Sequence, residues 1–148
     1  MPEPIAYLLD TGLLILYARG KEAAQEIERQ FQFAATAFKP IISVVTVGEV
    51  YAFARWRSWG EQKLAQLEKF RSSLIEVDIS RPEIIQSYAK ITATCFRNGW
   101  SLGDNDRWIA ATADVTGSTL VTTDKDFDPL AETTLRRIRV DPKTGKIV

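Results

Sequence analysis

Asp10, Glu49, Asp106 and Asp124 are the side chains best suited to do chemistry in this chain, because each stands beside or just past an apolar run. Brought together, four carboxylates repel and raise one another's pKa, so such a cluster is stable only if a cation neutralises it. With oxygen ligands alone, magnesium or manganese is the natural ion. Little else is available: there is no histidine and one cysteine, Cys95. A Ser-His-Asp or Cys-His triad is excluded, and so is a zinc site of the usual nitrogen and sulfur donors. Nineteen acids against nineteen bases give a formal charge of zero. No global basic field draws in nucleic acid, and any basic surface must be local.

Each acid also has an ordinary structural reading. Asp10 can cap a helix that starts at Thr11. Asp104 is a better capping residue than Asp106, since Ser101-x-x-Asp104 resembles a capping box. Asp106 in a first turn suits the helix dipole. Asp124, Asp126 and Asp128 lead into Pro129 and fit turn chemistry. Glu49 is less comfortable as a solvated residue, flanked by Val47, Gly48 and Val50.

The elements that must position these acids alternate along the 148 residues, with no repeat or flexible linker, which reads as one domain over 1–148 with a polar tail at about 141–148. The apolar run 5–9 is a buried strand handing over at Asp10-Thr11 to a helix. A helix over about 21–33 and a strand at 40–42 follow. Apolar residues three and four apart give a helix over 43–59, and another spans 61–74 before a strand at 74–77. A long helix runs from Pro82 to a left-handed cap near Asn98-Gly99. A helix opens at Gly103-Asp104-Asn105-Asp106 and ends at Gly117, leading to a strand at 120–122, an acidic loop at 123–129 and a last strand at 137–140. Such alternation favours an α/β/α sandwich with a mainly parallel sheet, whose strand carboxyl ends share one edge. Asp10 and Asp124 both belong at that edge, where ligands of open α/β sheets bind.

The order of motifs resembles a known family. Tyr7-Leu8-Leu9-Asp10-Thr11, Ser43-Val44-Val45-Thr46-Val47-Gly48-Glu49, Asp106-Arg107-Trp108-Ile109-Ala110-Ala111, and Leu120-Val121-Thr122-Thr123-Asp124-Lys125-Asp126-Phe127 together resemble the PIN-domain ribonucleases, especially the VapC-like toxins of type II toxin-antitoxin pairs. The resemblance implies a PIN-like fold and metal-dependent hydrolysis of RNA phosphodiesters. It places the family's acids on Asp10, Glu49, Asp106 and Asp124, with Asp104 and Asp126 as assisting neighbours and Thr11 and Thr122 at the hydroxyl positions. The family often has Asn or Ser where this chain has Gly12, so a hydrogen bond made there is lost or moves to Thr11. The resemblance also implies a VapB-like antitoxin that blocks the acidic site, an RNA substrate and a homodimer.

Local bases that could hold RNA are Arg55, Arg57, Arg97 and Arg107, with Arg136, Arg137 and Arg139 further on. Tyr51, Phe53, Trp56 and Trp59 are more aromatics than one buried stripe can use. Tyr51 and Phe53 fit core packing, and Phe53, Trp56 and Trp59 are candidates for antitoxin contact. Two other classes compete: a phosphoryl-transfer or phospho-receiver domain on a similar sheet, and a PIN-like module that only binds. The first wants a second acid near Asp10, for a phosphatase at the position of Gly12. The second is at odds with retention of all four acids. A lone cysteine, with an amino terminus that reads as neither signal peptide nor membrane span, points to the cytoplasm.

Overall fold

The computed structural model describes residues 5–148, the side chain of Glu132 excepted. The reading of residues 1–4 as neither signal peptide nor membrane span lies outside the described residues. Among the described residues five short strands, β1 (Tyr7–Leu9), β2 (Ile41–Ser43), β3 (Ile75–Val77), β4 (Thr119–Thr122) and β5 (Arg136–Arg139), form one sheet in the order β3-β2-β1-β4-β5. Every pairing is parallel, with Leu8 opposite Ile41 and Leu120, and Leu9 opposite Val121. Six helices connect them: α1 (Thr11–Ala18), α2 (Glu22–Phe31), α3 (Val44–Trp56), α4 (Glu61–Arg71), α5 (Pro82–Asn98) and α6 (Asp104–Thr116).

Successive strand residues point to opposite faces, so the central strands feed two cores. Leu8 and Leu120 pack with Ile84, Ile91 and Ile109 of α5 and α6 on one face. Leu9 and Val121 pack with Leu13, Ile27, Val50 and Leu67 of α1 to α4 on the other. All four residues of β4 are buried. Cys95 lies in the first core, where burial pushes its thiol pKa up, and is a packing residue.

The sheet order contains a reversal. The chain leaves β1 toward β2 and β3, then returns to add β4 and β5 on the other side. The gap beyond the carboxyl ends of β1 and β4 is therefore a switch point, the crevice where open α/β sheets bind ligands.

Several boundaries differ from the sequence reading. The helix expected to reach residue 59 ends at Trp56. Gly103, with no side-chain cap, opens α6, so neither Ser101 nor Asp104 makes the expected capping box; the extended backbone of Gly103 performs the entry unaided. The acidic loop is a run of 3-10 turns over Lys125–Glu132, capped by the Asp124 side chain. The polar segment 141–148 is held against β5 and α2. Val140 bridges Ile147, the Gln30 amide donates to Gly145 O at 2.7 Å, and Ile147 N–H donates to Gln30 Oε1 at 3.1 Å.

Candidate active site

Asp10 leaves β1 as the cap of α1 and is 4% exposed. Its Oδ1 accepts the Leu13 N–H at 2.8 Å, and its Oδ2 accepts the Thr122 hydroxyl from the end of β4. The Thr122 oxygen in turn accepts the Asp124 N–H at 2.9 Å, and Asp124 Oδ1 accepts the Asp126 N–H at 2.9 Å. A continuous hydrogen-bonded path thus ties the ends of β1 and β4 together. The third acid arrives from α3, whose first turn is fixed by Ser43 accepting the Val45 N–H at 3.1 Å. That places Glu49 against α1, where the Thr11 hydroxyl donates to Glu49 Oε1 at 2.7 Å and lies 3.2 Å from Thr46 Oγ1.

Electrostatics places Asp106 in the same group. Its pKa is raised to about 7, first by burial and then by Asp124, Asp10, Glu49 and Asp126. The Asp10 pKa is raised to about 6, again chiefly by burial; the hydrogen bonds from Thr122 and Leu13 lower it, and Asp124 and Glu49 push it up. Among the described residues no arginine or lysine forms an ion pair with Asp10, Glu49, Asp106, Asp124 or Asp126. The protein leaves this negative charge uncompensated.

The structure therefore gathers Asp10, Glu49, Asp106, Asp124 and Asp126 with Thr11 and Thr122, and leaves Asp104 apart. Asp104 is exposed, accepts the Tyr88 hydroxyl and pairs with Arg107 Nη2 at 3.2 Å. Asp128 faces β5, with Arg137 at 3.2 Å and Arg139 at 3.9 Å. Two hydroxyl residues absent from the expected site belong beside it. Thr46, fully buried, sits three residues before Glu49, a spacing that puts both on one helix face. Thr123 crowds Gly12: a Cβ at position 12 would stand 2.9 Å from Thr123 Oγ1. No sequence signal marks that contact, since the two lie on different elements.

Whether a divalent cation fits can be judged from the donors. Carboxylates and hydroxyls are hard oxygen ligands, and Asp10 and Asp106 carry raised pKa values with no basic partner among the described residues, which a bound cation would reverse. Among the described residues no three carboxylates already stand at a spacing that encloses an ion. Magnesium characteristically takes one or two carboxylates and completes its shell with water, so the donor set fits.

The basic and aromatic candidates are dispersed. Arg107 is held inside the fold, donating to Thr92 Oγ1 at 3.0 Å and Leu102 O at 2.7 Å. Arg136 donates to Gly117 O at 2.9 Å. Arg55, Arg57 and Arg97 are exposed, and Arg57 lies over the Phe53 and Trp56 rings. Of the four aromatics around α3, Tyr51 and Trp59 pack against the core, whereas Trp56 is 75% exposed. Phe53, open to core packing or to a partner surface, meets Trp56 and Trp59 edge-on at 6.1 and 6.0 Å. Its position on α3 turns it away from the sheet.

Comparison with known proteins identifies the family. The PIN domain family model matches residues 7–132. The chain is 31% identical to Ribonuclease VapC2 of Haemophilus influenzae over 117 residues, 79% of this chain and 85% of that protein. A VapC ribonuclease from a second Haemophilus influenzae strain matches equally well. Among solved structures, DNA-bound VapBC from Salmonella typhimurium superposes with a TM-score of 0.75 at 24% identity, covering 90% of this chain and 96% of that one. VapBC-1 from nontypeable Haemophilus influenzae gives 0.76 at 22% identity, covering 91% and 98%. The chain belongs to the PIN-domain family.

Proposed function

We propose that this protein is a VapC-like, metal-dependent endoribonuclease, the toxin of a type II toxin-antitoxin pair. The observation that carries the reading is the meeting of Asp10, Glu49, Asp106 and Asp124 near the switch point of the sheet with, among the described residues, no basic side chain paired to them. The ribonuclease relatives, matched over most of their length, support the substrate class.

Asp10, Glu49, Asp106 and Asp124 would hold magnesium or manganese, with Asp126 as a neighbouring acid. A bound divalent ion supplies charge neutralisation at the scissile phosphate and lowers the pKa of attacking water. The Thr122 hydroxyl favours the ionised form of Asp10 and orients it, and the Thr11 hydroxyl orients Glu49. Burial of Asp10 beneath the rim keeps bulk water from competing for its oxygens. The Phe53 and Trp56 surface on α3 is the antitoxin contact, and the protein acts in the cytoplasm as a homodimer built of one domain per chain. Among the described residues no helix is long and apolar enough to cross a membrane.

The deciding experiment is RNA cleavage in magnesium or manganese against EDTA, with wild type beside Asp10→Asn. Cleavage that requires the ion and disappears in the variant is the expected result. Metal-independent cleavage, or full activity in the variant, would refute the assignment. Acid-labile phosphorylation of Asp10 would favour the phosphoryl-transfer class instead.

A further inference from the structure

A cavity of 460 Å³ opens beside the end of α1, lined by Arg19, Lys21, Arg57, Trp59, Lys63 and Gln66 among others. Four of its walls are cations, and among the described residues no acidic one lines it. Among the described residues none of the four is in an ion pair. This contrasts with Arg71, Arg107, Arg137 and Arg139, which are all tied to carboxylates. Aromatic faces hold three of the cavity cations in place: Arg19 and Arg57 stand 5.8 and 5.7 Å from the Phe53 ring centre, and Lys63 5.4 Å from that of Trp59. Cations supported this way keep their N–H edges free for an incoming oxyanion.

The charge balance of the molecule makes this concentration meaningful. The carboxylate rim repels a polyanion, and the chain as a whole is neutral, so attraction for RNA must come from cations elsewhere. Helix α1 links the two places: Thr11 at its start touches Glu49, and Ala18 at its end lines the cavity, about 10 Å away by helical rise. That is a short reach for a single strand already engaged at the rim. We infer that this cavity binds the phosphodiester backbone of single-stranded RNA beside the nucleotides being cut. The choice of RNA as the occupant rests on the ribonuclease reading. An acidic peptide would meet the same cations, and its binding is the competing outcome of the test; RNA is favoured because four unpaired cations match a run of phosphates.

The test is fluorescence anisotropy of a labelled single-stranded oligoribonucleotide with the full chain in EDTA, over a salt series. Substituting Lys21→Gln, Arg57→Gln and Lys63→Gln together should weaken binding by about tenfold or more and flatten the salt slope by about 0.7 for each phosphate that is no longer neutralised. Lys21→Arg with Lys63→Arg should bind like wild type. Should the triple variant fold poorly, Lys21→Gln with Lys63→Gln leaves Arg57 on its rings and should show a smaller change of the same kind. Unchanged affinity and slope in a variant with native melting temperature would overturn the inference. So would loss of polyglutamate binding with RNA binding intact, which would give the cavity to an acidic protein partner. If wild type binds RNA through these cations yet cleaves none in magnesium or manganese, the ribonuclease reading fails and the binding site stands.

Discussion

The Asp10 carboxyl accepts the Leu13 N–H with one oxygen and the Thr122 hydroxyl with the other, so capping a helix and building the site are one arrangement. The cost appears in its titration. A carboxyl whose folded pKa is raised binds more protons folded than unfolded, so its ionisation opposes folding as pH rises from the unfolded value of 3.8 through the folded one. For Asp10, at about 6, the loss is on the order of 3 kcal/mol once pH passes neutrality. Asp106, at about 7, extends the window upward. In EDTA the melting temperature should therefore fall between about pH 4 and pH 7, manganese should restore it, and Asp10→Asn should flatten the profile; a flat wild-type profile would contradict the burial account. Thr122→Val removes the hydrogen bond that lowers the Asp10 pKa. It should shift the pH-rate profile to higher pH and cut cleavage by about 10 to 100-fold. Gly12 is explained by Thr123: Gly12→Ser would drive its Cβ into the Thr123 hydroxyl. Loss of activity in Gly12→Ser, and its partial recovery on adding Thr123→Ala, is the expected double-mutant result.

Elements were legible where pattern and punctuation agreed. The close of α5 at Gly99 and of α6 at Gly117, both left-handed at φ 68 and 66, falls where the sequence marks it. The opening of α6 is different: two acids and a serine compete on paper, and the helix starts on Gly103 because Asp104 is drawn to Tyr88 and Arg107. The choice between Asp104 and Asp106 could not be read locally, as it depends on α5 packing alongside α6. Buried strand residues carry the sheet. Leu120 in β4 is fully buried between β1 and α6, and Leu120→Ala should cost about 2 to 5 kcal/mol in urea unfolding. A cost below about 1 kcal/mol would mean that the site is held by its hydrogen bonds more than by the core beneath it.

Across the whole molecule, two cores clamp a narrow sheet, and the carboxylates meet where the strand order reverses. The carboxyl-terminal segment closes the second face. Gly145, at φ 76, packs on α2 so tightly that a Cβ would overlap the Ala23 carbonyl. Gly145→Ala meets backbone as well as an unfavourable φ, and neither can relax cheaply. It should detach residues 141–148, seen as faster hydrogen exchange and proteolysis there, with a lower melting temperature. Cleavage should persist, because α2 and this segment lie away from the carboxylates; its abolition would tie the segment to the site.

The sequence alone determined the alternation of elements, the parallel sheet and the positions of Asp10 and Asp124 at its edge. These follow from the period of apolar residues and from the rule that a strand ends where its polar residue begins. The tertiary structure alone decided that Asp104 stays outside the acid group, that Trp59 rather than Phe53 packs on the core, and that Arg107 serves the fold. It also brought Arg19, Lys21, Arg57 and Lys63 around one cavity. Such outcomes depend on which helix faces which, and helix contacts between segments far apart in the chain leave no spacing in the sequence from which they can be read.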